Sequence, residues 1–566
     1  MIKQFLAFSI LASTLLAGPA ALADSFRTYL EAPVTNLDPI YLKSEADRQV
    51  GQLIHRGLVA YSPEILPPRN GAYHQVVPAL AASWEIAPDR KSYIFTIDEN
   101  ARFHNGRPVT AADVKYSLER LANPMKNSPG YWAIERLNIK GLRRYQAACQ
   151  SGIKEPHLVG LEVIDHDIIQ VHLENAIPYA LELLALPYFS VVPAEDVERW
   201  WKDYRTHPIG AGPYRLEELK PGQAISLQRF TQFYDSRLPR TESVQFSLMP
   251  GPKEEFLAFT RRELDHAPLP KNYFHEVLAD PVWNPLGETR LIQAERVANL
   301  EETRVVKTPS WTTDYISMDN HEAPFNDPKV RQAFNYAVDK RMIIEHLLDS
   351  YGQPVTGVFP PAFPGANRRQ PAYAHNPDTA RKLLFETGWR DRDGDGDIEP
   401  WQDPNQQLTL YYRDPEDSLR ICQQIQADLA EVGVTVTLAP LKSFQDSHRG
   451  QVPAFFHTSS TPEILDPSQL FHPTFHSSAL RTNLSRYANP RVNELVGHAE
   501  DLNYEPRRYE LYQEAERLIM EDAPWLFLYH PVNYRVVQPR VRQYAVHPVL
   551  PFAYETFDVG VQTAER

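Results

Sequence analysis

Residues 78 to 121, PALAASWEIAPDRKSYIFTIDENARFHNGRPVTAADVKYSLERL, constrain this chain most. They read as a helix turn, two strands, a turn and a helix, in that order. Ser92 to Ile97 alternates and is rich in β-branched and aromatic residues, the pattern of a strand. Asn105-Gly106-Arg107-Pro108 carries turn chemistry. Thr110 then stands where a helix N-cap is wanted, and Asp113, three residues on, completes a capping box. Each local preference agrees with its neighbours, so the stretch predicts a real folded unit.

The rest of the chain is built in the same mixed style. Strand-like runs such as Leu408–Tyr412 alternate with helical stretches such as Leu419–Val432, which predicts α/β architecture with partly parallel sheets. A helix from Ser418 to Glu431 should end at Gly433, and the next strand should be Val434–Leu438. With 566 residues, 43% hydrophobic and 23% charged, the chain is too long for one core and long enough for two or three domains. Proline is abundant (49) and glycine scarce (24), which favours stiff loops over flexible linkers. A net charge of -14 argues against nucleic acid or anionic lipid as a partner.

The N-terminus reads as an export signal. Lys3 is followed by an apolar run from Phe5 to Leu16, too short to span a bilayer. Ala21-Leu22-Ala23 fits the small-x-small cleavage pattern, so residues 1–23 are expected to be removed and the mature chain to begin near Asp24, free in a periplasm. The competing reading is a short N-terminal anchor, which Gly18-Pro19 disfavours. Cys149 and Cys422 are far apart; a disulfide is permitted in such a compartment, and two isolated thiols are the simpler reading. No nucleophile elbow, phosphate-binding glycine loop or His-Glu-x-x-His occurs, so no motif asks for an enzyme.

Several segments recur in a telling order: Asn36-Leu37-Asp38-Pro39, Pro208 to Tyr214 (PIGAGPY), Asp327 to Lys340 (DPKVRQAFNYAVDK), Asn376-Pro377-Asp378, Ala380 to Leu384 and Tyr487-Ala488-Asn489-Pro490. With residues 78–121 they resemble the family 5 solute-binding proteins of ATP-binding-cassette (ABC) importers, the peptide/nickel-binding family. The resemblance implies an α/β, two-lobe periplasmic binding protein fold, type II-like, with an extra domain inserted in the first lobe. Lobe one would comprise residues 24–61, 207–303 and 530–566, the inserted domain 62–206, and lobe two 304–529. It also implies a monomeric binding protein, not an enzyme, that takes short peptides to an inner-membrane permease for transmembrane transport and requires no cofactor. A non-peptide solute (an oligosaccharide, opine or metal chelate) is the alternative.

The segment Phe455 to Phe471 resembles the family's ligand-pocket segment, in which a carboxylate three residues before an Asp-Pro pair meets the peptide's α-amino group. Here the pair is Asp466-Pro467 and the carboxylate is Glu463; Ser460 replaces an aromatic. Ser459, Ser460, Thr461 and Asp466 are expected to line the same pocket. A buried ammonium needs such a partner, though a solvated loop acid would also fit Glu463. Arg413 is matched to an arginine that clasps the peptide carboxylate, a task suited to its planar fork; otherwise it is a surface arginine paired with Asp414 or Asp417. Tyr41 and Trp311 resemble pocket walls, with core packing as the competing reading.

Two further motifs stand outside this scheme. Asp391, Asp393, Asp395, Gly396, Asp397 and Glu399 have the look of a calcium loop, but position twelve is Gln402 and not the usual Glu. A structural calcium ion is the expectation there. His457, His472 and His476 surround the pocket segment; a His-x-x-x-His pair converges only on a helix, and Pro473 stands between the last two, so hydrogen-bonding or surface histidines are expected.

Overall fold

The computed structural model describes residues 25–62, 76–271, 273, 303–361, 363–367, 372–394, 396–400, 407–413, 416–442, 451–502, 505–544 and 557–559. The export signal, Asp395, Gln402 and Asp414 lie outside them.

The chain opens with β1 (Ser25–Leu30) and α1 (Glu45–Ile54), followed by a small pair of strands, β2 (Val59–Tyr61) and β3 (Val76–Pro78). Next come β4 (Ala81–Ile86), β5 (Ser92–Ile97) and α2 (Ala111–Ala122). The expected capping box is present: Thr110 accepts from the Asp113 N–H, and the Asp113 carboxylate accepts from the Thr110 N–H. The expected helix turn at Pro78 is absent. There the backbone N–H groups of Ala79 and Leu80 donate to Leu58 and Gly57 at 3.1 Å each, so the segment is tied to β2 and cannot coil.

Helices α3 (Tyr131–Leu137) and α4 (Leu142–Gln150) precede β6 (Leu161–Asp165) and β7 (Ile168–His172), which complete a four-stranded sheet in the order β4-β5-β7-β6. One side of this sheet is buried with α2 and α3 in a core that includes Phe95, Phe103, Leu118 and Ile134. Strands β8 (Tyr214–Lys220), β9 (Ala224–Arg229) and β10 (Ser243–Leu248) then join β1 in a second sheet, where β1 and β10 run parallel. The crossover into it is glycine for a steric reason: a Cβ on Gly210 would lie 1.9 Å from the Ile54 carbonyl oxygen, so only glycine lets the chain pass the end of α1.

After α5 (Pro252–Thr260), β11 (His266–Pro268) and β12 (Arg304–Pro309), the chain enters the largest sheet through β13 (Thr313–Met318). The sequence continues with α6 (Pro328–Ala337), β14 (Gly352–Pro354), α7 (Pro377–Glu386), β15 (Leu408–Tyr412), α8 (Glu416–Glu431), β16 (Val436–Pro440) and β17 (Phe455–Ser460). Helices α9 (Ser468–Phe475), α10 (Pro490–Asp501) and α11 (Glu505–Asp522) lead into β18 (Trp525–Val537). The sheet order is β11-β18-β13-β17-β15-β16, with β12 and β14 also on β18. β15 lies parallel to both β16 and β17, as the alternating pattern predicts. Gly433 has φ +86, so α8 ends in the expected left-handed glycine; the Val434 N–H is still bonded to Leu429, and the strand starts two residues later than expected.

β18 is thirteen residues long and changes partners along its length. Residues 525–529 pair with β13, 529–531 with β14, and 532–537 with β12, while β11 takes 535–537. Cys149 and Cys422 are separate free thiols. Among the described residues no helix is long and apolar enough to cross a membrane.

Candidate functional site

The ends of β13, β15 and β17 lie side by side in the large sheet. Their register sets Asp314 opposite Ser459 on one flank and Tyr529 on the other. β13 is buried at all six positions, so Asp314 is a carboxylate in an apolar strand and has to find partners. One oxygen lies 2.5 Å from Nε2 of His457 and the other 3.6 Å from Nη2 of Arg413. Arg413 also donates through Nη1 to the Ser459 hydroxyl at 3.3 Å, and its backbone N–H donates to the Ser418 hydroxyl oxygen at 2.9 Å.

A carboxylate only accepts, so His457 carries a proton on Nε2, facing Asp314. Its Nδ1 lies 2.6 Å from the Ser418 hydroxyl, whose oxygen also accepts from the Arg413 N–H. The order Ser-His-Asp superficially resembles a hydrolase relay. However, Ser418 is only 4% exposed and its oxygen is held by a backbone donor, so no nucleophile is presented. The polar cluster sits among groups kept neutral by burial: it pushes the Cys422 thiol up to about 12 and raises the Tyr315 and Tyr529 phenols.

Among the described residues Arg413 pairs with Asp314 and not with Asp417; Asp414, its other possible partner, lies outside them. Lys271 takes Asp417 instead, at 2.5 Å. The Arg413 side chain is 35% exposed, its contact with Asp314 is loose, and its Nε makes no hydrogen bond among the described residues. That Nε is buried, while about a third of the side chain reaches solvent.

Glu463 follows β17 on the adjacent loop. Solvent reaches it, yet the protein crowds its carboxyl enough that burial raises the pKa, with the Arg48 guanidinium opposing the rise. Arg48 comes from α1, where Glu45 holds it at 3.1 Å, and Tyr188 lies beside it. Thus Glu463 faces a cation from the first part of the chain. Ser459 and Ser460 are half-buried on the same strand end, and exposed Thr461 touches Thr312, hydroxyl to hydroxyl, at 2.7 Å.

The other expected site residues are placed differently. Asp466 is buried and bound by Arg508 through both oxygens, at 2.8 and 3.0 Å, and also accepts from the Ser468 N–H. Burial pushes its pKa up, but Arg508 overrides this and holds the carboxyl below the ordinary range. Its lone pairs are engaged inside the protein. Trp311 is 4% exposed and packs edge-on against Phe363, so it is a core residue. Tyr41 lines a separate cavity of about 1080 Å³ with Asp38, Arg120, Lys126 and Trp201; no lining residue comes from 304–529.

In the acidic loop, Asp391 accepts from the N–H groups of Gly394 (2.7 Å) and Gly396 (3.2 Å), and Asp397 accepts from the Thr435 hydroxyl. Glu399 pairs its backbone with Arg390. Among the described residues, the carboxylates of this loop, Asp393 included, do not gather around one point. His472 and His476 are hydrogen-bonded as expected, to Glu500 and Ser478, but Pro473 does not end the helix between them. α9 continues through Pro473, and the two rings stack at 4.6 Å and 9°. Pro473 is the sixth residue of the helix, so the backbone bond it forfeits is the one to Gln469, and the His476 N–H still closes the last turn on His472.

Sequence reasoning missed Asp314, Ser418 and Arg48. The signal for Asp314 was available: a lone acid inside Thr313-Asp314-Tyr315-Ile316-Ser317-Met318, an otherwise strand-forming run, predicts a buried charge with a partner.

Comparison with known proteins matches residues 75–481 to the family model described as bacterial extracellular solute-binding proteins, family 5 (middle). The glutathione-binding protein GsiB of Salmonella typhimurium strain LT2 is 24% identical over 534 residues, covering 92% of each chain. A probable di/tripeptide-binding protein of Pseudomonas aeruginosa strain UCBPP-PA14 is 26% identical over 562 residues, covering 96% of this chain and 97% of its own. Among solved structures, the periplasmic murein tripeptide-binding protein MppA, in its unliganded open form, superposes with a TM-score of 0.75 at 23% identity, over 95% of this chain and 97% of that one.

Proposed function

The chain belongs to the bacterial extracellular solute-binding proteins of family 5, and from that premise we propose that it captures short peptides between two lobes and hands them to an inner-membrane ABC permease. The lobes would be residues 24–61 with 207–303 and 530–566 on one side and 304–529 on the other, with 62–206 inserted in the first. The mature chain would begin near Asp24, act as a monomer in the periplasm and need no cofactor. Names of relatives that bind glutathione and di- or tripeptides support a peptide over an oligosaccharide, opine or metal chelate.

One observation supports the reading: Arg413 is anchored by Asp314 and Ser459 yet its side chain remains 35% exposed. Such an arginine is pre-oriented for a carboxylate and loses little freedom on binding it. Glu463 then supplies the opposite charge for the peptide's ammonium, while Ser459, Ser460 and Thr461 offer hydroxyls to its backbone. Lobe closure would strip both termini of water, which is why both need a fixed counter-charge.

Calorimetry with a panel of free and C-terminally amidated di- and tripeptides tests this. Free peptides should bind, amidation should weaken binding at least tenfold, and Arg413→Met should erase the difference. Equal affinity for both forms, or no binding of any free-amine peptide, would overturn the proposal.

A further inference from the structure

Two neighbouring side chains in the loop after β17 are anchored in two different cores. Ile464 is fully buried in the core around α2, α3 and the sheet of β4 to β7. Among the described residues, every other buried member of that core lies between residues 40 and 211. Leu465 is 8% exposed and belongs to the core of Trp311, Phe363, Phe471 and Tyr512, whose buried members all lie between residues 311 and 527. The seam between the two cores therefore passes between Ile464 and Leu465.

At both ends the loop is tied to the body of the large sheet. Before Ile464, the Thr461 hydroxyl meets that of Thr312 at 2.7 Å. After it, Asp466 is held by both arms of Arg508 on α11. Ile464 is thus a knob carried by one body and seated in the other. Arg136 of α3 reaches across the same seam: it donates to the Ser468 carbonyl at 3.3 Å and lies 3.8 Å from the Glu500 carboxylate. The first is a long hydrogen bond and the second a loose ion pair partly open to water, so the apolar burial of Ile464 is the firmest of these contacts. Glu463, the residue proposed for the peptide ammonium, is covalently next to the knob. Adjacent Cα atoms stay about 3.8 Å apart, so Ile464 cannot leave its seat without carrying Glu463 with it.

We propose that Ile464 is a positioning residue for peptide capture: seated in the core of residues 40–211, it holds Glu463 at the ligand site and couples arrival of the peptide to docking of residues 304–529 on the segment 62–206. The inference rests on the peptide reading above and adds to it a task for that segment, which is to supply the seat. Undocking leaves Ile464 in water and its seat unfilled, so one isoleucine biases the balance between the docked and undocked forms. A change that weakens the docked form lowers apparent peptide affinity in proportion to the fraction of molecules still able to dock.

Three variants of the chain from Asp24 onward separate this role from ordinary core packing. The probe is the tightest-binding free peptide of the panel above. Ile464→Asp should weaken it at least tenfold in calorimetry and enlarge the ligand-free molecule in small-angle X-ray scattering. Ile464→Val keeps most of the apolar surface and should bind within about threefold of wild type. Leu465→Ala should lower the melting temperature by several degrees, whereas Ile464→Asp should melt close to wild type, because its side chain can leave the seat without unfolding either core. Unchanged peptide affinity in Ile464→Asp, or a melting temperature lowered as far as that of Leu465→Ala, would overturn the proposal. If no peptide of the panel binds the wild type, the peptide reading falls and scattering alone judges the seat: an Ile464→Asp molecule larger than wild type supports it, and one of equal size overturns it.

Discussion

The two ends of the loop that follows β17 hold charge in opposite ways. At Asp466 the carboxylate is buried, gripped by both arms of Arg508 and capped by a backbone N–H. At Glu463, three residues earlier, the carboxylate faces Arg48 across a gap and has no ion-pair partner within contact distance among the described residues. The same chemical group is a structural bolt in one place and an unspent charge in the other. Full satisfaction inside the protein makes the first architecture, while the second leaves a charge available to the peptide ammonium proposed above.

Removing the bolt should be the most costly change. Asp466→Ala strands a buried guanidinium, and urea unfolding should show a loss of about 3–5 kcal/mol; a loss below about 1 kcal/mol would erase the distinction between the two ends. Glu463→Gln should leave stability within about 0.5 kcal/mol of wild type. The same change should weaken a free-amine peptide by about 2–3 kcal/mol in calorimetry, and an unaltered affinity would return Glu463 to the status of a loop acid.

A third carboxylate sharpens the contrast. Glu255 on α5 is fully buried and, among the described residues, neither oxygen has a hydrogen-bond partner. Burial, then Glu31, pushes its pKa up to about 8, with Arg535 opposing. The folded protein therefore holds a proton that the unfolded chain releases near pH 4.5, so stability falls as pH rises from about 4.5 to 8 and the cost is complete above 8. Glu255→Gln should remove that slope and raise stability by about 1–2 kcal/mol at pH 8.5, measured as melting temperature against pH. Parallel pH profiles for variant and wild type would contradict it. The smallest effect is expected at the acidic loop. Asp391 already serves two N–H groups, so millimolar calcium against chelator should move the melting temperature by less than about 1 °C. A larger calcium-dependent rise would restore the ion site.

What could be read from the residues alone was what depends on near neighbours. Ser92–Ile97, the Thr110–Asp113 cap and Leu408–Tyr412 are strand, cap and strand where expected, because alternation and capping act within a few residues. The turn at Pro78 was misjudged because its conformation is set by backbone bonds to Gly57 and Leu58, some twenty residues away. Trp311 was ambiguous in principle: a large aromatic suits a core and a pocket wall equally well, and only packing against Phe363 separates them. His472 and His476 were hidden by Pro473, whose cost depends on how much helix precedes it. Asp314 was overlooked because its partners, Arg413 and His457, arrive from strands about a hundred or more residues downstream.

β18 bears on how such a molecule moves. Backbone pairing along one ribbon joins β13 and β14 at its start to β12 and β11 at its end, and the handover falls between Pro531 and Val532. Pro531 has no N–H to contribute, so the ladder is one rung short where the partners change. If the lobes close as proposed, the rotation would fall on this one continuous strip as torsion, with its weakest rung at Pro531. A strip of this kind would act like a leaf spring, twisting without any pairing having to be broken and remade.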